Sequence, residues 1–76
     1  SPKQIAWATR IRHEILDAKT GAEHWRKLFE AASEEDAPNK VQVLAAIDAI
    51  VAETSASWWI DHRRETMRTL INAAIR

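Results

Sequence analysis

The sequence of 76 residues contains no cysteine, no tyrosine, one glycine and two prolines. The lack of cysteine excludes a disulfide framework, a thiolate zinc site and a cysteine nucleophile. A single glycine excludes a glycine-rich phosphate-binding loop and leaves little room for hairpin turns. No apolar run approaches the ~18 residues that a membrane-spanning helix requires, and no signal-peptide pattern is present. These absences favour a chain that is nearly all helix.

The 11 basic and 11 acidic residues cancel, so no net field draws the chain to nucleic acid or to an anionic membrane. The charges are nevertheless unevenly distributed along the chain. Residues 1–13 contain three basic residues and no acid, residues 14–36 are acidic, and residues 58–76 are again mildly basic. Both ends of the chain are therefore basic and its middle is acidic.

The first thirty-odd residues carry helical periodicity. Ser1 can cap a helix, Pro2 suits its first position, and Gln4 lies where a capping box places it. Apolar residues then recur, and from Ile11 onward their spacing alternates between four and three, as in a heptad stripe. They are Ile5, Ala8, Ile11, Ile15, Ala18, Ala22, Trp25, Phe29 and Ala32.

The only glycine, Gly21, falls within this stripe without changing its phase. It follows Lys19 and Thr20 in the way that a glycine ends a helix, and Thr20 with Glu23 matches a second capping box. An interior glycine costs only about 1 kcal/mol relative to alanine, whereas a loop usually breaks the phase. We therefore expect one long helix from about residue 2 to residue 33, bent near Gly21, with a break at Gly21 as the alternative.

Two further helices are predicted after an acidic linker at residues 33–39, in which Asp36 is the candidate N-cap. The second helix covers about residues 38–53, and Ser55 or Ser57 caps a third helix that continues to the C-terminus. The predicted fold is an all-α antiparallel bundle of three helices, or of four if the first breaks at Gly21. Because the chain begins without an initiator methionine, we expect residues 1–76 to form a single helical domain of a longer protein.

A long first helix creates a problem of length. At 1.5 Å per residue, a helix over residues 3–33 spans roughly 45 Å, and a second helix of about 16 residues returns only half that distance. The amino half of a straight first helix would then have no partner, and exposing its large apolar residues would cost ~25 cal/mol per Å². These residues are Ile5, Trp7, Ile11, Ile15 and Leu16. Either the chain folds back at Gly21, or a second chain covers that half and the protein is a dimer.

Residues suited to catalysis or metal binding are sparse. His13 and Asp17 share a helix face at i and i+4, but two ligands do not make a zinc site, and no motif places His24 or His62 to complete one. The serines lie at helix ends and linkers, where capping explains them, and no G-x-S-x-G motif is present. The acidic pairs lie in a solvated linker, without the apolar pocket that a catalytic carboxylic acid needs. We expect no enzymatic activity, metal site, cofactor or small-molecule substrate.

Tryptophan is over-represented, with four residues against one phenylalanine. Adjacent Trp58 and Trp59 differ by about 100° around a helix, so both cannot point into one narrow core seam. One can seal the core while the other covers a loop or contacts a partner, because tryptophan is enriched in binding hot spots. Trp7 and Trp25 are expected in the core or at its edge.

Two charged residues of the predicted third helix need partners. Asp61 is expected in the first turn of that helix, where a negative charge suits the helix dipole. A buried ion pair of Asp61 with Lys3 or Arg10 is one hypothesis. Arg63 falls on the apolar side, so its guanidinium needs a carboxylate, a carbonyl or an outward-reaching stem.

Two segments resemble those of a known family. Residues 3–12 match a K-Q-I-A-W-A-x-x-I-R opening, and residues 55–63 match S-A-x-W-W-I-D-x-R. Together they resemble a family of small helical domains in bacterial and phage proteins. The resemblance implies a helical, cytoplasmic protein of bacterial or phage origin, and it supplies no activity, cofactor or catalytic residue. A physical reason for the two segments to occur together would be contact of Trp7, Trp58 and Trp59 with Asp61 and Arg63. That contact requires the starts of the first and last helices to meet, within one chain or across a dimer, which a straight long first helix in a monomer makes difficult.

Two functions remain after these exclusions. The leading hypothesis is a non-catalytic helical interaction domain, which self-associates or docks on a protein partner through its tryptophan-bearing end. The alternative is an accessory nucleic-acid-binding module that uses the basic helix ends and stacking on tryptophan, although the zero net charge opposes it. No membrane association is expected. The candidate interaction residues are Lys3, Trp7, Arg10, Trp58, Trp59, Asp61 and Arg63.

Overall fold

Five helices and no strand make up the computed structural model, which describes all residues from 1 to 76. The helices are α1 (Pro2–Leu16), α2 (Ala22–Ala31), α3 (Lys40–Ala52), α4 (Ala56–Asp61) and α5 (Met67–Ala74). The predicted all-α bundle is confirmed, but it contains more helices than either predicted count. No helix combines the length and the apolar character needed to traverse a bilayer.

The expectation of one continuous first helix is wrong. α1 ends at Leu16, where the N–H of Asp17 donates to the carbonyl of His13 over 2.9 Å. The chain re-enters a helix only at Ala22, so α2 folds back and packs mainly on α3. This break removes the length problem, because α4 packs along α1 and the buried residues of α1 join the common core within one chain.

Gly21 makes this turn possible because it has no side chain. Its N–H donates to the carbonyl of Ala18 over 2.9 Å, and it occupies the N-cap position of α2. A Cβ at this position would lie 2.2 Å from the carbonyl oxygen of Leu16, which is closer than real Cβ atoms approach backbone atoms. The φ of Gly21 is −88°, so the turn requires glycine for space and not for a left-handed conformation. Thr20 does not cap α2, and the predicted capping box with Glu23 is wrong.

The predicted third helix is also divided. Ser55 caps α4 as predicted, since its hydroxyl accepts from the N–H of Trp58 at 3.3 Å. α4 ends after six residues, and α5 begins at Met67 behind a capping box of two threonines. The Thr66 hydroxyl accepts from the N–H of Thr69 at 3.2 Å, and the Thr69 hydroxyl accepts from the N–H of Thr66 at 2.9 Å.

The linker between α2 and α3 is close to its predicted position, but Asp36 does not cap α3. Asn39 holds that position without a side-chain hydrogen bond, while the N–H of Asp36 donates to the Ser33 hydroxyl at 3.1 Å. The Lys40 ammonium donates to two carbonyls at the end of α2, at 3.1 and 2.8 Å. Lys40, at the start of α3, therefore caps the C-terminal end of α2.

Four of the five helices contribute to a core of 12 buried hydrophobic residues, and α2 contributes none. Within the predicted stripe, Ile5 and Ala18 are exposed, while Ala22, Trp25 and Phe29 are half-buried. α1 packs chiefly against α4, and α3 packs against both α2 and α5. The core residues are Ala8, Ile11, Ile15, Leu16, Val43, Ala46, Ile47, Ile50, Trp59, Met67, Leu70 and Ile71.

Candidate interaction surface

Trp59 anchors α4 in the core. Its side chain is 1% exposed, and its indole N–H donates to the carbonyl of Glu53 at 2.9 Å. Burial of a tryptophan stabilises a fold only when the N–H has an acceptor, and here the segment just before the helix supplies one. Trp59 is thus the member of the tandem pair that seals the core.

Trp58 lies half-buried beside it. The two indole rings meet edge to face, with 4.8 Å between their centroids and an angle of 81°. The His62 ring stacks on Trp58 at 4.1 Å, and its Nδ1–H donates to the Trp58 carbonyl at 2.6 Å. One indole face is therefore covered within the chain, so Trp58 is a poor base-stacking platform. Sequence reasoning missed this use of His62, although the i, i+4 spacing from Trp58 was a signal for it.

Trp7 and Arg63 meet across the α1–α4 packing. The Arg63 guanidinium carbon lies 5.6 Å from the centroid of the Trp7 ring, within cation–π range. Arg63 also donates to the carbonyl of Ile60 at 2.8 Å, which fixes the guanidinium over the indole. Trp7 of α1 thus meets the segment that follows α4. Trp7 is 40% exposed and its indole N–H has no acceptor within the chain.

Lys3, Trp7 and Arg10 share one face of α1, because they are spaced at i, i+4 and i+7. Lys3 and Arg10 are exposed, and neither they nor Arg63 has a carboxylate within ion-pair distance. We refer to Lys3, Trp7, Arg10 and Arg63 as the Trp7 surface. It presents an apolar ring among three unpaired cations.

The hypothesis of a buried ion pair at Asp61 is wrong. Asp61 is exposed and forms no salt bridge with Lys3, Arg10 or any other base. Because the predicted third helix divides, Asp61 is the last residue of α4 instead of lying in a first turn. Its charge lies at the negative end of the helix dipole and therefore gains nothing from it.

Arg12 has a structural role that sequence reasoning did not assign. The half-buried guanidinium donates to the carbonyl of Val51 at 2.8 Å, close to the end of α3. A cation at this end of a helix suits both the dipole and the orphan carbonyls. The Nε atom of Arg12 is the one buried side-chain polar atom of the chain without a partner. Arg12 is therefore occupied inside the fold and is not available to the Trp7 surface.

No group of three or more histidine, aspartate or glutamate side chains is placed to hold a metal ion. The Nδ1 atom of His13 and the carboxylate of Asp17 are in contact on one exposed face of α1. The Trp7 surface offers contact area and positive charge, while His13 and Asp17 line a separate cleft of about 410 Å³.

Comparison with known proteins gave no match: no family model, no curated protein and no solved structure is similar to this chain.

Proposed function

We propose that the chain is a non-catalytic interaction domain that docks on an acidic protein partner through the Trp7 surface. The observation that carries this proposal is the half-exposed Trp7 ring, held by Arg63 and flanked by Lys3 and Arg10 without any paired carboxylate. A tryptophan that is already immobilised loses little entropy on binding, and its free N–H offers a hydrogen bond.

The charge on this surface favours a different protein over a second copy of the chain. A two-fold axis at Trp7 with antiparallel α1 helices would bring Lys3 of one copy against Arg10 of the other. Like charges across an interface destabilise it, whereas carboxylates of an acidic partner would pair with these cations. The fold-back at Gly21 also removes the need for a second chain to cover α1. We therefore expect a monomer in sedimentation equilibrium.

A nucleic-acid function receives less support. The Arg63 guanidinium covers one face of the Trp7 ring, and His62 covers a face of Trp58, so neither ring is open on both sides to bases. Arg12 donates into the fold, and Arg68 lies on α5 beside a different cleft. Arg12 and Arg68 therefore do not extend the three cations of the Trp7 surface into a longer basic track.

The test is quantitative capture of protein partners from the native host by the full natural chain, after nuclease treatment. The variant Trp7→Ala should lower partner capture at least tenfold, as expected for a hot-spot tryptophan. Leu28→Ala is the matched control, since Leu28 is 52% exposed but lies on α2. The control should capture partners as the wild type does.

Two results would overturn the proposal. One is equal capture by the wild type and Trp7→Ala, with both chains shown to be folded by circular dichroism. The other is binding of single- or double-stranded nucleic acid that weakens steeply between 50 and 200 mM salt and depends on Lys3 and Arg10, which would favour the nucleic-acid module.

A further inference from the structure

A cleft lies between α2, α3 and α5, away from the Trp7 surface. Its walls are apolar and include Trp25 and Phe29 of α2 and Ile71 and Ile75 from the end of the chain. The cleft has a volume of about 240 Å³. It shares no residue with the Trp7 surface, so its function can be tested independently of the proposed function.

The cleft exists because α2 is incompletely packed. None of its residues is fully buried, and the rings of Trp25 and Phe29 lie 6.3 Å apart, tilted by 35°. The indole N–H of Trp25 donates to the carbonyl of Thr20 at 3.0 Å, so the polar edge of this ring is already satisfied. What Trp25 and Phe29 offer to the cleft is therefore apolar ring surface.

The rim of the cleft is polar and carries a positive charge. Arg68 makes no hydrogen bond or salt bridge within the chain, and the side-chain amides of Asn39 and Asn72 are likewise unpaired. No acidic residue lines the cleft. One guanidinium and two amides among the lining residues provide several donors to an otherwise apolar space, and a carboxylate is the ligand that such donors suit best.

The volume restricts what can enter. Pockets for drug-sized ligands measure about 300–1,000 Å³, whereas benzene fits a cavity of about 150 Å³. A cleft of about 240 Å³ thus matches one large side chain and is smaller than the usual pocket for a drug-sized ligand. In the last residue of a polypeptide, the carboxylate is one bond from the Cα that bears the side chain, so both groups can bind together.

We propose that this cleft binds the carboxyl-terminal residue of a partner polypeptide, with an aromatic or branched aliphatic side chain against Trp25 and Phe29. The terminal carboxylate accepts hydrogen bonds from Arg68 and from the amides of Asn39 and Asn72. The assignment is a binding site for a chain terminus, in addition to the docking surface at Trp7.

The test is an NMR titration of the ¹⁵N-labelled chain with N-acetylphenylalanine, which carries a free carboxylate, and with N-acetylphenylalanine amide, which does not. We expect the carboxylate to bind with a dissociation constant on the order of 1 mM and to shift amides of α2 and α5. The amide should bind about tenfold more weakly, because it offers Arg68 no charge.

The variant Arg68→Gln should weaken carboxylate binding about tenfold and leave amide binding unchanged. Arg64→Gln is the matched control, because Arg64 is an exposed arginine outside the cleft, and this variant should bind as the wild type does. Equal binding of carboxylate and amide, shifts confined to other surfaces, or equal loss in both variants would overturn the proposal. Equally tight binding of N-acetyl-Phe-Asp amide would overturn its terminal-carboxylate part.

Discussion

Helices α4 and α2 use tryptophan in the same way but are held very differently. In each helix an indole N–H reaches back to a carbonyl just before the helix, from Trp59 to Glu53 at 2.9 Å and from Trp25 to Thr20 at 3.0 Å. Trp59 is 1% exposed, whereas Trp25 is only half-buried. The six-residue helix is therefore anchored more firmly than the ten-residue one, because burial and not length determines how strongly a helix is held.

The same comparison explains where the open surfaces lie. α4 packs closely on α1 and leaves the Trp7 ring 40% exposed beside Arg63. α2 covers α3 and the end of the chain incompletely, and the cleft beside Trp25 results. Each proposed binding site thus follows from the way in which a tryptophan-bearing helix is packed.

The largest expected effect is that of Trp59→Ala. Removing a fully buried tryptophan should lower the free energy of unfolding by about 3–5 kcal/mol, through lost burial and the cavity left behind. A domain of this size has only about 3–5 kcal/mol in total, so the variant should be largely unfolded at 25 °C. Urea denaturation in the presence of sucrose, followed by far-UV circular dichroism, measures the loss. A loss below about 1 kcal/mol would contradict the anchoring role of α4.

A smaller loss is expected for Trp25→Ala. Since this ring is half-buried and lines an open cleft, the free energy of unfolding should fall by about 1–2 kcal/mol. Amide hydrogen exchange should show that α2 opens before α4 in the wild type. A larger loss of stability in Trp25→Ala than in Trp59→Ala would contradict the conclusion that α2 is held less firmly than α4.

Sequence patterns predicted the local signals of this fold well. The caps at Ser1 and Ser55 are present, and Ile11 and Ile15 lie in the core as their spacing predicts. These features depend on a few neighbouring residues, which is why they can be read directly. The same holds for the linker before α3, whose position was predicted although its cap was not.

The two helix breaks could not be predicted in this way, for different reasons. The spacing of apolar residues continues unchanged across Gly21 although the helix does not. α1 and the folded-back α2 each direct their part of the stripe toward the same core, so the spacing does not show the break. Glycine is required there because a Cβ would clash with the carbonyl of Leu16, and this close approach exists only in the folded chain. Between α4 and α5 there is no glycine or proline; α4 ends at its C-cap His62, and α5 starts at the capping box of Thr66 and Thr69.

Among the candidate interaction residues, Trp7 and Arg63 are in contact as expected. Asp61 was predicted in the first turn of a long helix and instead is the last residue of the short helix α4.

The variant Asp61→Asn provides the smallest expected effect. Because Asp61 is exposed, unpaired and at the last position of α4, its neutralisation should change the free energy of unfolding by less than about 0.5 kcal/mol. Chemical denaturation measures this, and a loss above about 1 kcal/mol would indicate an ion pair that the fold described above lacks.

The fold-back of α2 is the claim on which the other conclusions depend, and the free energy of unfolding of Gly21→Ala tests it most directly. A Cβ there would lie 2.2 Å from the Leu16 carbonyl oxygen, so we predict a loss of about 1–3 kcal/mol by urea denaturation. In an uninterrupted helix the same substitution would instead stabilise the protein by about 1 kcal/mol. A gain in stability would contradict the fold-back and restore the need for a second chain over α1.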